Sequence, residues 1–198
     1  MTAICVVSES SKIASNMVPS PLGGMHLDSL ALPFHLCSLL LFVVFYITFG
    51  KAGRMKELCI NFISVTGMLG GFLAMMIPTD GTDFFSLPAY QCFVYHAGLL
   101  WFSIYLLASG KADLSIKSMK TNMLLMIGLV VFALYVNSLL SVYDTNFLFL
   151  TRPPVEGLPF LNLDHGWFIY FGHLVSTGLL VIPVFHLTAC RLLKKSFL

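Results

Sequence analysis

Between Leu30 and Phe49 the chain runs for twenty residues without a charged side chain. A helix of that length rises about 30 Å, the thickness of a bilayer's hydrocarbon core. Yet its first turns carry His35, Cys37 and Ser38. Ionisable or reactive groups are costly in a membrane helix, so they face the bundle interior, a cavity or a partner. What the chain can do turns on which other polar groups share that depth.

Four more apolar stretches follow, at 58–77, 89–108, 123–143 and 167–190. The fold expected is all-α, a polytopic transmembrane bundle of five spans. Residues 1–29 read as a polar tail or loop, and 191–198 as a basic cytoplasmic tail. Only 10% of residues are charged, against roughly 25% in soluble domains. The net charge of +2 gives no reason to expect nucleic acid as a partner. Five scattered cysteines form no CxxC pair, and phosphate-loop, GxSxG and HExxH signatures are absent. No resident cofactor is implied. Pro33 falls near the start of the first span, where a missing N–H costs least. Pro183 is placed to kink the last span, and Gly67, Gly70 and Gly71 give the second a close-packing seam.

Nine of the eleven basic residues fall on one side of these spans: Lys51, Arg54, Lys56, Lys111, Lys117, Lys120, Arg191, Lys194 and Lys195. The positive-inside rule makes that side cytoplasmic, with the chain's N-terminus outside and its C-terminus inside the cell membrane. An outside N-terminus without a signal peptide leaves two readings, direct translocation of the short tail or one or more further spans preceding this chain, and the second is the expectation. Two outer connections result. Residues 78–88 carry Asp80 and Asp83, and residues 144–166 are long, aromatic and proline-rich. A loop that apolar lies in the interface or folds over the bundle. Its one cation, Arg152, is an interfacial anchor or a contact for a lipid phosphate.

At about 1.5 Å per residue, His35 and Cys37 in the first span, His96 in the third, Asn137 in the fourth and His173 in the fifth share one level of the outer half. Each alone reads as an interhelical hydrogen bond. Together they point to a polar pocket opening outward. His186 lies in the inner half and pairs there with a neighbouring helix or headgroup. Helical phase limits the pocket, because residues 35 and 37 differ by about 200° and a regular helix cannot aim both inward. Ser38 shares the His35 face, Cys92 lies one turn from His96, and Ser176 and Thr177 flank His173.

Pro33-Phe34-His35-Leu36-Cys37-Ser38, Tyr95-His96, Asn137 with Asn146 to Leu150 and Pro153-Pro154, and Gly172-His173 resemble the YwaF-like bacterial integral membrane proteins. The resemblance runs from about residue 30 to 187. It extends to a distant eukaryotic relative, transmembrane protein 164, described as a cysteine-dependent phospholipid acyltransferase. It implies lipid acyl transfer, with His35, His96 and His173 matching shared positions. It also implies one or two further spans before the first motif. One departure matters: in the eukaryotic pattern the cysteine directly precedes the first histidine, where this chain has Phe34, and Cys37 lies three residues on.

Three readings follow. In an acyltransferase or lipid hydrolase, Cys37 is the nucleophile, His96 its base, Asn137 orients a histidine, and helix-start N–H groups near Pro33 to His35 hold the oxyanion. Ser38 and Arg152 then contact the phospholipid substrate. In a zinc hydrolase, three imidazoles with Asp80, Asp83 or Asp164 hold the metal. In a non-enzymatic lipid-binding or structural protein, the cluster is interhelical glue.

Overall fold

The computed structural model describes residues 1–20, 23–77 and 85–193. Asp80, Asp83, Lys194 and Lys195 lie outside the described residues. Six α-helices account for most of the chain: α1 (Thr2–Ser15), α2 (Leu36–Phe49), α3 (Arg54–Met76), α4 (Leu87–Ala108), α5 (Ile116–Leu139) and α6 (Trp167–Leu192). The last four are long and apolar enough to cross a membrane, and α2 is a shorter apolar helix. The protein is a membrane-embedded helical bundle. Large apolar side chains such as Phe168, Leu180 and Val184 project from α6 with no protein cover, as a lipid-facing surface does.

The helix ends follow from local chemistry. Ser86 caps α4 through the Ala89 N–H, with proline in the first turn, and Ser115 caps α5 through the Ser118 N–H. That cap carries α5 back through Lys117 and Lys120, earlier than the stretch 123–143 proposes. The expected first span begins late. Leu32, ahead of Pro33, is extended (φ −58°, ψ 147°), as the clash with a proline ring requires. Residues 29–31 form a separate 3-10 turn capped by Asp28, and α2 starts only at Leu36.

Residues read as a tail hold α1 and a short hairpin, Met17–Pro19 paired antiparallel with Met25–Leu27. α1 runs antiparallel to α4: Met1 and Ile4 lie beside Gly98, and the Gln91 amide donates to Ser8. Cys5 and Ser8 are buried in that contact. Leu40, Val44, Phe62, Ile63 and Leu99 join Cys5 in the main apolar core between α1, α2, α3 and α4.

The closest helix pair is α3 on α4, and two glycines set its distance. A Cβ at Gly67 would fall 2.5 Å from Ser103 Oγ, and one at Gly71 2.7 Å from the carbonyl oxygen of His96. The small-residue seam therefore sets how closely α3 approaches the turn of α4 that carries His96.

Candidate active site

His35 is the N-cap of α2, with an extended backbone (φ −71°, ψ 149°), so the 200° restriction of a continuous helix does not apply to it. Cys37 is the second helical residue, half-buried, and Ser38 the third, buried. The first N–H groups of a helix have no intrahelical acceptor, and the His35 side chain supplies no cap. The donors without an intrahelical acceptor thus belong to Leu36, Cys37 and Ser38, rather than to Pro33 through His35.

Across from this turn stands α4. His96 Nε2 lies 2.9 Å from Cys37 Sγ. His96 Nδ1 lies 2.7 Å from the Cys92 carbonyl oxygen and 3.4 Å from Cys92 Sγ. A carbonyl only accepts, so Nδ1 carries the ring proton. Nε2 then presents its lone pair to the thiol. That arrangement draws the Cys37 proton toward the imidazole. The neighbouring Tyr95, buried, donates its hydroxyl to the Cys37 carbonyl at 2.6 Å. Two successive residues of α4 thereby hold the backbone and the thiol of one residue of α2.

The other polar groups expected to join this pair go elsewhere. The Asn137 amide is a clamp on the loop: Nδ2 donates to the Phe147 carbonyl at 3.0 Å, and Oδ1 accepts the Phe147 N–H at 2.8 Å. It orients that loop and not a histidine. The His35 ring meets Phe147 and Phe149, each at a centroid distance of 5.3 Å. His173 is exposed and donates from Nδ1 to the Phe160 carbonyl at 2.6 Å. Common depth does not bring these residues into one pocket. They gather the 144–166 loop onto the bundle, helped by Trp167 Nε1–H on the Leu150 carbonyl (2.9 Å) and the Tyr170 hydroxyl on that of Phe149. The loop needs such holding, because Leu148, Phe149 and Phe160 sit at φ of 57°, 54° and 65°. Each costs on the order of 1 kcal/mol for a residue with a Cβ.

Arg152 is engaged within the same loop, with Nη1 2.7 Å from Asp144 Oδ1 and Nη2 3.0 Å from the Asp144 carbonyl. Ser38 accepts a hydrogen bond from Lys12 Nζ at 2.9 Å. Among the described residues, no three His, Cys, Asp or Glu side chains stand close enough to share a metal ion. His35, His96 and His173 do not form the imidazole cage that a zinc site requires. Farther along α6, His186 is fully buried beside Asn122, with 3.4 Å from Asn122 Nδ2 to Nε2, a contact between neighbouring helices.

Sequence reasoning missed Tyr95 and Lys12 as neighbours of Cys37. Tyr95 directly precedes His96, and a tyrosine inside an apolar span needs a partner for its hydroxyl, which was a usable signal. Lys12 gave none while its segment read as a tail.

The family model of the TMEM164 family matches residues 22–188 of this chain. That stretch contains Cys37, His96, His35, His173, Asn137 and Arg152, and leaves out α1. It accords with the expected relation to transmembrane protein 164 and says nothing of the bacterial branch. No curated protein and no solved structure matches.

Proposed function

Because this membrane protein belongs to the TMEM164 family, we propose that it transfers acyl groups between lipids, with Cys37 as nucleophile and His96 as its base. The observation that carries this reading is the 2.9 Å contact of Cys37 Sγ with a His96 Nε2 whose tautomer is fixed by the Cys92 carbonyl. A thiol becomes a strong nucleophile on losing its proton, and a base at hydrogen-bond distance is the means.

The cycle has two balanced halves. Cys37 Sγ attacks the ester carbonyl of a phospholipid while His96 Nε2 takes the thiol proton. The ester C–O bond then breaks, and Nε2 hands that proton to the departing glycerol oxygen. A thioester on Cys37 and a lysophospholipid result. In the second half, an acceptor hydroxyl gives its proton to Nε2 and attacks the thioester carbonyl. The C–S bond breaks and the thiol regains the proton. A lipid hydroxyl as acceptor makes the protein an acyltransferase, and water makes it a lipid hydrolase. In both halves the first-turn N–H groups of α2 offer donors to the oxyanion. Their proximity to Sγ is built in, since nucleophile and donors belong to one helical turn.

Among the described residues, Lys51, Arg54 and Lys56 where α2 meets α3, Lys111, Lys117 and Lys120 where α4 meets α5, and Arg191 in the last turn of α6 lie at the helix ends remote from this pair. By the positive-inside rule the chemistry belongs to the outer leaflet of the cell membrane, with the C-terminus cytoplasmic.

The test is intact-mass spectrometry of purified protein incubated with phospholipid. Wild type is expected to gain one fatty-acyl increment that Cys37→Ala does not gain. In His96→Ala its formation is expected to slow by about a hundredfold or more, the usual weight of general-base assistance. Full turnover by Cys37→Ala would remove the thiol from the reaction.

A further inference from the structure

Ser8 and Lys12 stand one turn apart on α1 and so share a face. With Met1 and Cys5 they form one stripe, spaced by four, three and four residues, along which α1 packs on the bundle. The polar half of that stripe makes two contacts. Ser8 accepts a hydrogen bond from the Gln91 amide of α4, and Lys12 Nζ donates to Ser38 Oγ of α2 at 2.9 Å. Glu9, 2.7 Å from Nζ, neutralises the lysine within this sheltered seam.

Both contacts land beside the reactive pair. Gln91 directly precedes Cys92, whose carbonyl holds His96 Nδ1 at 2.7 Å. Ser38 directly follows Cys37, whose thiol meets His96 Nε2 at 2.9 Å. Tyr95 supplies the third side by donating to the Cys37 carbonyl at 2.6 Å. Side-chain hydrogen bonds thus join α1 to α4, α1 to α2 and α4 to α2, and the Cys37–His96 pair lies on the last of these edges. A single contact between two helices is a pivot, about which α2 could swing and carry the thiol out of reach. Two further contacts to a third helix remove that freedom. Interhelical glue alone would serve at any level of the bundle. Here each contact falls on the residue next to one that flanks the His96 ring.

We propose that α1 belongs to the framework of the site, with Ser8 and Lys12 as positioning residues that hold Cys37 Sγ at His96 Nε2. The proposal rests on the Cys37–His96 reading for the pair that is held, and on no choice of substrate. Both residues act through neighbours, Ser8 through Gln91 on the imidazole side and Lys12 through Ser38 on the thiol side. α1 lies outside residues 22–188, so the framework extends beyond the stretch that matches the family.

The experiment reads Cys37 directly in the full chain, as its rate of alkylation by iodoacetamide followed by peptide mass spectrometry. Ser8→Ala and Ser38→Ala each break one contact without changing a charge. Together they are expected to slow alkylation of Cys37 about tenfold, as a small misplacement of a base does. In a His96→Ala background the same two changes are expected to matter less than about twofold, since they act through the pair. Cys190, buried in a separate core with Leu107, Leu114 and Ala189, is expected to stay protected. Faster alkylation of both Cys37 and Cys190 would reduce α1 to general packing. Faster alkylation of Cys37 alone would make α1 a cover over the thiol, and an unchanged rate would leave α1 no part in the pair. Each of these three results overturns the proposal. A second arm measures the α2–α4 distance by pulsed spin labelling through ketone-bearing amino acids at the exposed Phe42 and Trp101, which leaves the thiols native. The distance distribution is expected to broaden when both serines are replaced, and an unbroadened one overturns the proposal. Where His96→Ala alone leaves alkylation of Cys37 unchanged, it is the base reading that fails, and the distance arm decides the proposal by itself. Should the double serine variant not fold, Lys12→Gln with Glu9→Gln removes the contact to α2 with both charges and is read in the same two arms.

Discussion

The hydroxyl of Tyr95 donates to the backbone carbonyl of Cys37 at 2.6 Å, across the contact between α4 and α2. One residue later on α4, His96 reaches the same residue's thiol. The tyrosine is a ruler for the pair: it fixes where the turn that carries Cys37 begins relative to the imidazole. Tyr95→Phe keeps the ring in the core and removes only the hydroxyl. We expect acyl-enzyme formation to fall about tenfold with KM nearly unchanged, since misplacement of reacting groups is costly. Thermal stability is expected to drop by only about 1 kcal/mol, the usual worth of one such bond. Equal losses in the rate and in the fraction of folded protein would reduce Tyr95 to a structural role.

Cys37 and His96 are expected to act as one unit. Groups that share a single proton transfer show strong non-additivity, because removing either disables the step. Acylation rates of Cys37→Ser, His96→Ala and the double variant should therefore fall to a common floor. If the double variant lies lower by the product of the single effects, the two residues work independently and the pairing has no catalytic meaning.

How much of this was readable in advance differs sharply between the bundle and the site. Four spans and the apolar α2 are written in runs free of charge. The early start expected for the first span failed at Pro33, whose ring forces Leu32 out of helix and delays α2 to Leu36. The same shift releases His35 from the helical phase. Counting along the spans assigns His96, Asn137 and His173 a common level but gives no direction, because direction follows from packing. Asn137 and His173 turn to the carbonyls of Phe147 and Phe160, partners that lie in a loop with no periodicity to read. α1 was hidden for another reason. Ser8, Glu9 and Lys12 look like a solvated stretch, and only the folded bundle gives them Gln91 and Ser38 as partners.

The glycine seam yields a paired test. Gly71 faces the His96 carbonyl, where a Cβ would stand 2.7 Å from that oxygen and 3.2 Å from Leu100 N. Both are backbone atoms that cannot swing aside. Gly71→Ala is expected to push α3 off α4, lower stability by about 1–3 kcal/mol and slow acylation through displaced His96. At Gly70 the nearest atom is a Leu36 methyl at 3.9 Å, so Gly70→Ala is expected to be tolerated. Unfolding in detergent, followed for both variants beside wild type, checks the contrast. Equal tolerance at the two positions would mean that the seam does not set the helix distance.

The last prediction concerns the strained loop. Asn137 is buried and satisfies both backbone groups of Phe147, whose ring in turn contacts His35. Asn137→Ala leaves a buried N–H and a buried carbonyl without their partner, at a cost of about 2–4 kcal/mol for the two together. Two neighbours, Leu148 and Phe149, sit in left-handed conformations that persist only while the surroundings hold them. Loss of the clamp should therefore release the segment locally and leave the helices folded. Hydrogen exchange is the direct readout: amides from Asn146 to Thr151 should lose protection while those of α3 and α4 keep theirs. Acylation of Cys37 is expected to change less than twofold, because the thiol is held from α4 and not from this loop. A collapse of acylation in a variant with intact helices would instead tie the loop, through His35, to the chemistry of the pair.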